Sequence, residues 1–127
     1  METARRILEL MFLTAWCDGR FEGSEAFAIH KLASQVPMLR EIASTSDIDL
    51  AAKERLAASG IEACVREAAN AIPVPAHREL AFQCCAKVSG ADGRFPREEA
   101  KVLQILRETW GFSSTDIERL LVLATHS

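Results

Sequence analysis

The sequence predicts an all-α protein, and three observations carry that expectation. Ala, Leu, Glu, Arg and Ile dominate while Tyr is absent. Apolar residues recur at three- and four-residue spacing through most of the chain, the signature of helices with one buried face. No alternating β-branched run bounded by turn residues occurs, so nothing reads as a half-buried strand. With 127 residues, 49% apolar and 26% charged, the chain has the composition of one compact domain, residues 1–127. At this length roughly two thirds of the unfolded surface can be buried without a staple.

Seven helical segments are expected. The first runs from about Thr3 to Trp16, with Ile7, Leu8, Met11, Phe12 and Ala15 as its apolar stripe, and Gly19 ends it. The second spans about Gly23 to Gln35 and turns Ala26, Phe27, Ile29, Leu32, Ala33 and Val36 toward the core; Pro37 then forces a break. A short piece from Met38 to Ala43 precedes the polar "STSD", which caps the next helix through Ser46 or Asp47. A long middle helix follows from about Ile48 to Ala71. Leu50, Ala57, Ile61, Cys64, Ala68 and Ile72 keep helical phase straight through Gly60, so that glycine reads as tolerated inside one helix. Pro73 and Pro75 close it, and Ala76–Ser89, Pro96–Trp110 and Ser113–Thr125 complete the set. The last start is the best marked: Ser113 and Asp116 have the spacing of a capping box, Phe112 and Ile117 that of a hydrophobic staple.

The chain is also duplicated. "DGRF" occurs at Asp18–Phe21 and again at Asp92–Phe95, each time after an apolar helix-like run and each time with a glutamate seven residues after the aspartate, Glu25 and Glu99. Aligning the aspartates, a shift of 74 residues, places Leu8 on Phe82, Phe12 on Ala86, Ile29 on Leu103, Leu32 on Leu106 and Val36 on Trp110. Two helix-turn-helix units of one kind, packed about a pseudo-two-fold axis, would bury these matching faces against each other.

Several function classes lack support. The net charge of −3, with both signs interspersed, suggests neither a nucleic-acid face nor an acidic tail. Arg5-Arg6 and the following "ILELMFLTAW" resemble the start of a signal peptide, but Glu9 interrupts the apolar stretch and no run approaches a membrane span, so a cytoplasmic location without a direct membrane span is expected. Cys17, Cys64, Cys84 and Cys85 form no C-x-x-C pair and read as small apolar core residues. His30 and His77 are far apart with no nucleophile in a motif near either, His126 lies near the end, and no phosphate loop or hydrolase motif appears; no enzymatic activity is expected. Trp16 and Trp110 read as core or cavity lining.

The duplicated turn is the one candidate site. Set against an EF-hand loop, Asp18 takes the fifth position, Gly19 the sixth, Phe21 the eighth and Glu25 the twelfth, and the second copy matches through Asp92, Gly93, Phe95 and Glu99. The first and third positions are Thr14 and Trp16 in one copy, Val88 and Gly90 in the other, so each copy is half an EF-hand. One copy offers too few oxygens for calcium; two converging copies would offer Asp18, Glu25, Asp92 and Glu99, hard donors suited to Ca, Mg or Mn. The same residues also have a purely structural reading. Gly after Asp ends a helix, Phe21 and Phe95 plug the core, Glu25 and Glu99 favour the next helix's N-terminal dipole, and Arg20 and Arg94 neutralise the acids.

A helical chain with two such turns, "WCDGRFEGSE" and "GADGRFPREE", resembles the TerB-like tellurite-resistance family over nearly its whole length. The resemblance implies a seven-helix, pseudo-symmetric bundle and, at the matching positions, a divalent-metal role for Asp18, Glu25, Asp92 and Glu99. Glu22 and Pro96 stand where that family often has a capping Ser or Thr. The function it implies is non-enzymatic: an accessory protein of tellurite resistance or stress response, acting with other proteins of a stress-response or membrane-associated complex. The alternative is a metal-independent helical interaction module, since related domains also resemble the N-terminal part of a membrane-anchored DnaJ-type co-chaperone.

Overall fold

The computed structural model describes residues 2–17, 23–42, 44–90 and 97–125, without the side chains of 97–99 and 123–125. The described residues form eight helices and no strand: α1 (Glu2–Trp16), α2 (Gly23–Gln35), α3 (Pro37–Arg40), α4 (Ser46–Ser59), α5 (Ile61–Asn70), α6 (Pro75–Ser89), α7 (Arg97–Trp110) and α8 (Ser114–Thr125). The all-α expectation holds, with one helix more than expected.

The extra helix arises at Gly60. Its φ of 83° with ψ of 164° is a backbone conformation that only glycine adopts without strain, so the expected continuous middle helix is two helices. Gly60 serves both: its N–H donates to the Leu56 carbonyl at 3.0 Å and its carbonyl accepts from the Cys64 N–H at 3.2 Å. Upstream, α4 starts at Ser46 with Thr45 in the cap position and no side-chain cap bond. Ser46 and Asp47 are therefore first-turn residues, and Asp47 is turned to Arg5, 2.9 Å away. Pro37 and Pro75 do not merely break helices; each begins one, at the first position where a missing N–H costs nothing.

α1 is the centre of the domain. The stripe expected on it is too narrow, because Leu10 and Leu13 are as fully buried as Ile7 and Leu8. Such all-round burial marks a helix enclosed by others, and α1 touches α2, α3, α4, α5, α6 and α7. On α2 the expected inward Phe27 is 70% exposed, while Glu25, Ile29 and Leu32 are buried. A helix burying positions 25, 29 and 32 places position 27 on its far side.

The duplication is visible in burial. Each pair of residues matched by the 74-residue shift has the same environment: Leu8 and Phe82, Phe12 and Ala86, Ile29 and Leu103, Leu32 and Leu106 are buried, and Val36 and Trp110 are both half-buried. α1 packs directly on its mate α6, and each carries its following helix, α2 or α7. The repeat extends to a third helix. α4 packs on α1 as α8 packs on α6, with Ile48 and Ala52 buried on α4 and Leu120 on α8. Arg5 on α1 meets Asp47 on α4 at 2.9 Å, and at Arg5's matching position Glu79 on α6 meets Arg119 on α8 at 3.1 and 3.2 Å, the same tie with its charges exchanged. Among the described residues the short α3 and the linking α5 have no counterpart.

Candidate functional site

α1 ends at Trp16 and α2 begins at Gly23, so the first acidic turn links two helices whose ends are fixed by packing. Trp16 is pinned: its indole Nε1–H donates to Asp49 Oδ1 at 2.7 Å, and the Lys53 ammonium lies 4.8 Å from its ring centroid. Both partners sit on α4, so the exit of α1 is tied to that helix. Thr14, the first position in the EF-hand alignment, is fully buried and its hydroxyl donates to the Leu10 carbonyl at 2.7 Å. It is therefore turned back along its own helix.

Glu25 is the expected site residue whose side chain is described. It lies in the first turn of α2 and is only 3% exposed. The wheel of α2 buries this carboxylate in preference to Phe27. A carboxylate so far from water is expensive unless compensated, and its oxygens at a helix N-terminus are hard donors of the kind Ca, Mg and Mn take. The residue present thus fits the implied group. Asp18 and Asp92, with Arg20, Phe21, Arg94 and Phe95, lie outside the described residues; Glu99 falls in the first turn of α7 but its side chain lies outside them too. Among the described residues no group of three or more His, Cys, Asp or Glu is arranged to hold a metal ion.

On the second side, α6 ends at Ser89 and Gly90 closes it, its N–H donating to Ala86 O at 3.0 Å. Trp110 is held at the far end of α7 by its Nε1–H donating to Ala69 O at 3.1 Å, and Phe112 meets both Trp110 and Phe82 edge-on, with ring centroids 5.8 and 5.6 Å apart. Both tryptophans pack half-buried against the core, and each indole N–H also tethers its helix to another.

A second polar constellation escaped the sequence reading. Glu9, 7% exposed, accepts from Arg6 at 2.9 Å and from Arg55 at 2.6 Å, while Glu67 stands 3.9 and 3.7 Å from the same two guanidiniums. One carboxylate on α1 therefore clamps α4, with α5 lending a second. The cluster borders a hollow of about 230 Å³ lined by Glu2, Arg5, Arg6, Glu9, Ile48, Ala51 and Arg55. Its three arginines face four carboxylates, Glu2, Glu9, Asp47 and Glu67, so each cation is already paired and the hollow is no anion site. The sequence signal was a single glutamate inside an apolar run, three residues after an arginine.

Cys64, Cys84 and Cys85 are core residues, while Cys17 is half-buried at its edge. All four are thiols. Burial pushes Cys84 up to about 11 and Cys85 up to about 12, and Cys64 is also raised, by burial first and Glu67 second. His30 is exposed on α2 and His77 half-buried in the first turn of α6. Among the described residues no helix is long and apolar enough to cross a membrane.

No curated protein and no solved structure matches the chain significantly. The family described as tellurite resistance protein TerB matches residues 4–122, which takes in both acidic turns and all of α2 to α7. With the helical duplication seen above, that coverage establishes that the chain belongs to the TerB family.

Proposed function

We propose that this TerB-family chain is a non-enzymatic accessory protein of tellurite resistance or stress response that holds a divalent cation, Ca, Mg or Mn, through Asp18, Glu25, Asp92 and Glu99. The observation that carries this reading is Glu25: a carboxylate 3% exposed at the first turn of α2, one helix turn from an acidic loop, on a helix that exposes a phenylalanine instead. That position holds a hard oxygen donor out of bulk water beside the acidic loop. A cation bound there would neutralise the repulsion among converging carboxylates.

Bound cation would stiffen the loops between α1 and α2 and between α6 and α7. Because Trp16 at the lip of the first loop is bonded to Asp49 and stacked under Lys53, a change in that loop is passed to α4, and the affected surface is where protein partners of a cytoplasmic stress-response or membrane-associated complex would act. Isothermal calorimetry of metal-free protein against Ca, Mg and Mn tests the reading, with Trp16 fluorescence followed in parallel. Saturable heat with a fluorescence change supports it, and flat titrations for all three ions reject it. In that case the metal-independent interaction module, co-chaperone-like in kind, is the function that stands.

A further inference from the structure

The two halves differ in what covers them. On one side α5 lies between α1 and α7, burying Cys64, Val65, Ala68 and Ala69. α7 accordingly buries a broad arc, Val102, Leu103, Ile105 and Leu106. Leu103 and Leu106 have buried mates on α2, but the positions matching Val102 and Ile105 by the 74-residue shift are Ala28, only half-buried, and Lys31, exposed. Likewise Glu9 and Leu13 are buried on α1, whereas their mates on α6, Gln83 and Lys87, are half-buried. Lys101, which lines a hollow with Ile61, Glu62 and Arg66 beside α5, corresponds to Phe27, 70% exposed. α2 packs on α6 as α7 packs on α1, so the described residues repeat the seat of α5 without a second α5 among them to fill it.

We propose that this α2/α6 seat docks one amphipathic helix of a partner protein, with small apolar residues on its inner face and carboxylates on its flanks. The shape follows from the mate: what covers the equivalent seat is a helix of ten residues whose Cys64, Val65, Ala68 and Ala69 go inward and whose Glu67 flanks it toward Arg6 and Arg55. The charge follows from the seat. Among the described residues Lys31 and Lys87 are its cations, and the acid of α6, Glu79, is already held by Arg119 at 3.1 Å. Phe27 supplies the apolar anchor, as large aromatic side chains do at the centre of interfaces. The proposal is independent of any bound cation.

The test uses the full chain and a defined probe: a capped, fluorescently labelled peptide of residues 61–72, stapled on its outward face to hold it helical, with Cys64→Ala to prevent oxidation and Arg66→Glu to make it acidic. Anisotropy should show saturable 1:1 binding. Phe27→Lys, which copies the other half's residue at an exposed site, should weaken it about tenfold or more, and Lys31→Glu with Lys87→Glu should do the same, with the circular dichroism of each variant unchanged. A peptide carrying Glu62→Lys and Glu67→Lys with Arg66 retained should not bind. Absence of saturable binding to the acidic probe, or binding indifferent to Phe27→Lys, overturns the proposal. So does a chain dimer in sedimentation that Phe27→Lys dissolves, because the seat would then belong to a second copy.

Discussion

Replacing Gly60 with alanine should destabilise the protein, and the sign carries the information. The residue sits at φ 83°, ψ 164° between α4 and α5, and an added Cβ would meet nothing within 4 Å, so the whole cost is backbone strain, about 1–3 kcal/mol for a non-glycine residue held in such a region. Were α4 and α5 one continuous helix, the same exposed substitution would instead stabilise by about 1 kcal/mol through helix propensity. Urea and thermal unfolding decide between them; each kcal/mol is worth roughly 3–6 °C in a domain of this size. Gly23→Ala is the control, since Gly23 has no positive φ and open space at its Cβ and should be neutral or slightly stabilising. A neutral or stabilising Gly60→Ala would refute the break and restore the single helix.

Four further outcomes are expected. Glu9→Ala should cost about 2–3 kcal/mol in chemical denaturation, less than the roughly 3–5 kcal/mol of breaking a fully buried pair, because Arg6 and Arg55 are 21% and 48% exposed and Glu67 is close enough to take them over. Ser113→Ala should cost about 1 kcal/mol by orphaning the Asp116 N–H that its hydroxyl accepts at 3.1 Å. In the same box the Ser113 N–H, above all, holds the Asp116 carboxyl below its ordinary value of 3.8; its contribution is therefore full above that value and lost as pH falls through the depressed one, so Asp116→Asn should flatten the acid limb of a stability–pH curve. Finally, a thiol reagent at pH 8 should titrate the half-buried Cys17 first, while Cys64, Cys84 and Cys85, buried and raised, should react only on the timescale of unfolding.

What was legible in the sequence was whatever local chemistry decides. The capping box at Ser113 is present in both directions, Ser113 N–H to Asp116 Oδ2 at 3.0 Å and the reverse at 3.1 Å, because its partners are three residues apart and need no tertiary context. The duplication was equally legible, since matched positions must share an environment if the halves pack alike. The misreadings came where tertiary packing overrides a local rule. Phe27 and Glu25 are two positions apart, so one face must exclude one of them, and hydrophobicity alone selects the wrong one. Gly60 keeps the apolar phase of its flanks, which made a break look like a continuation; only its positive φ reveals the turn. The relation between α4 and α8 was hidden because α3 shifts the repeat from 74 to about 72 residues and the tie between the helices changes sign, Arg5–Asp47 on one side and Glu79–Arg119 on the other. Of the four candidate acids, the burial of Glu25 was not legible at all, because which face of α2 turns inward is set by tertiary packing.

The most direct test of the cation reading is the melting temperature of metal-free protein with and without millimolar Ca, Mg or Mn, compared between the native chain and Asp18→Asn/Asp92→Asn. At a hundredfold excess over Kd a bound ion should stabilise the native chain by roughly 2.7 kcal/mol, and the double substitution should abolish that shift while leaving the metal-free protein as stable or more so, because it removes mutual repulsion and keeps shape. If native melting ignores all three ions and the double variant is clearly destabilised without metal, the acids are turn and cap residues and the cation reading is contradicted.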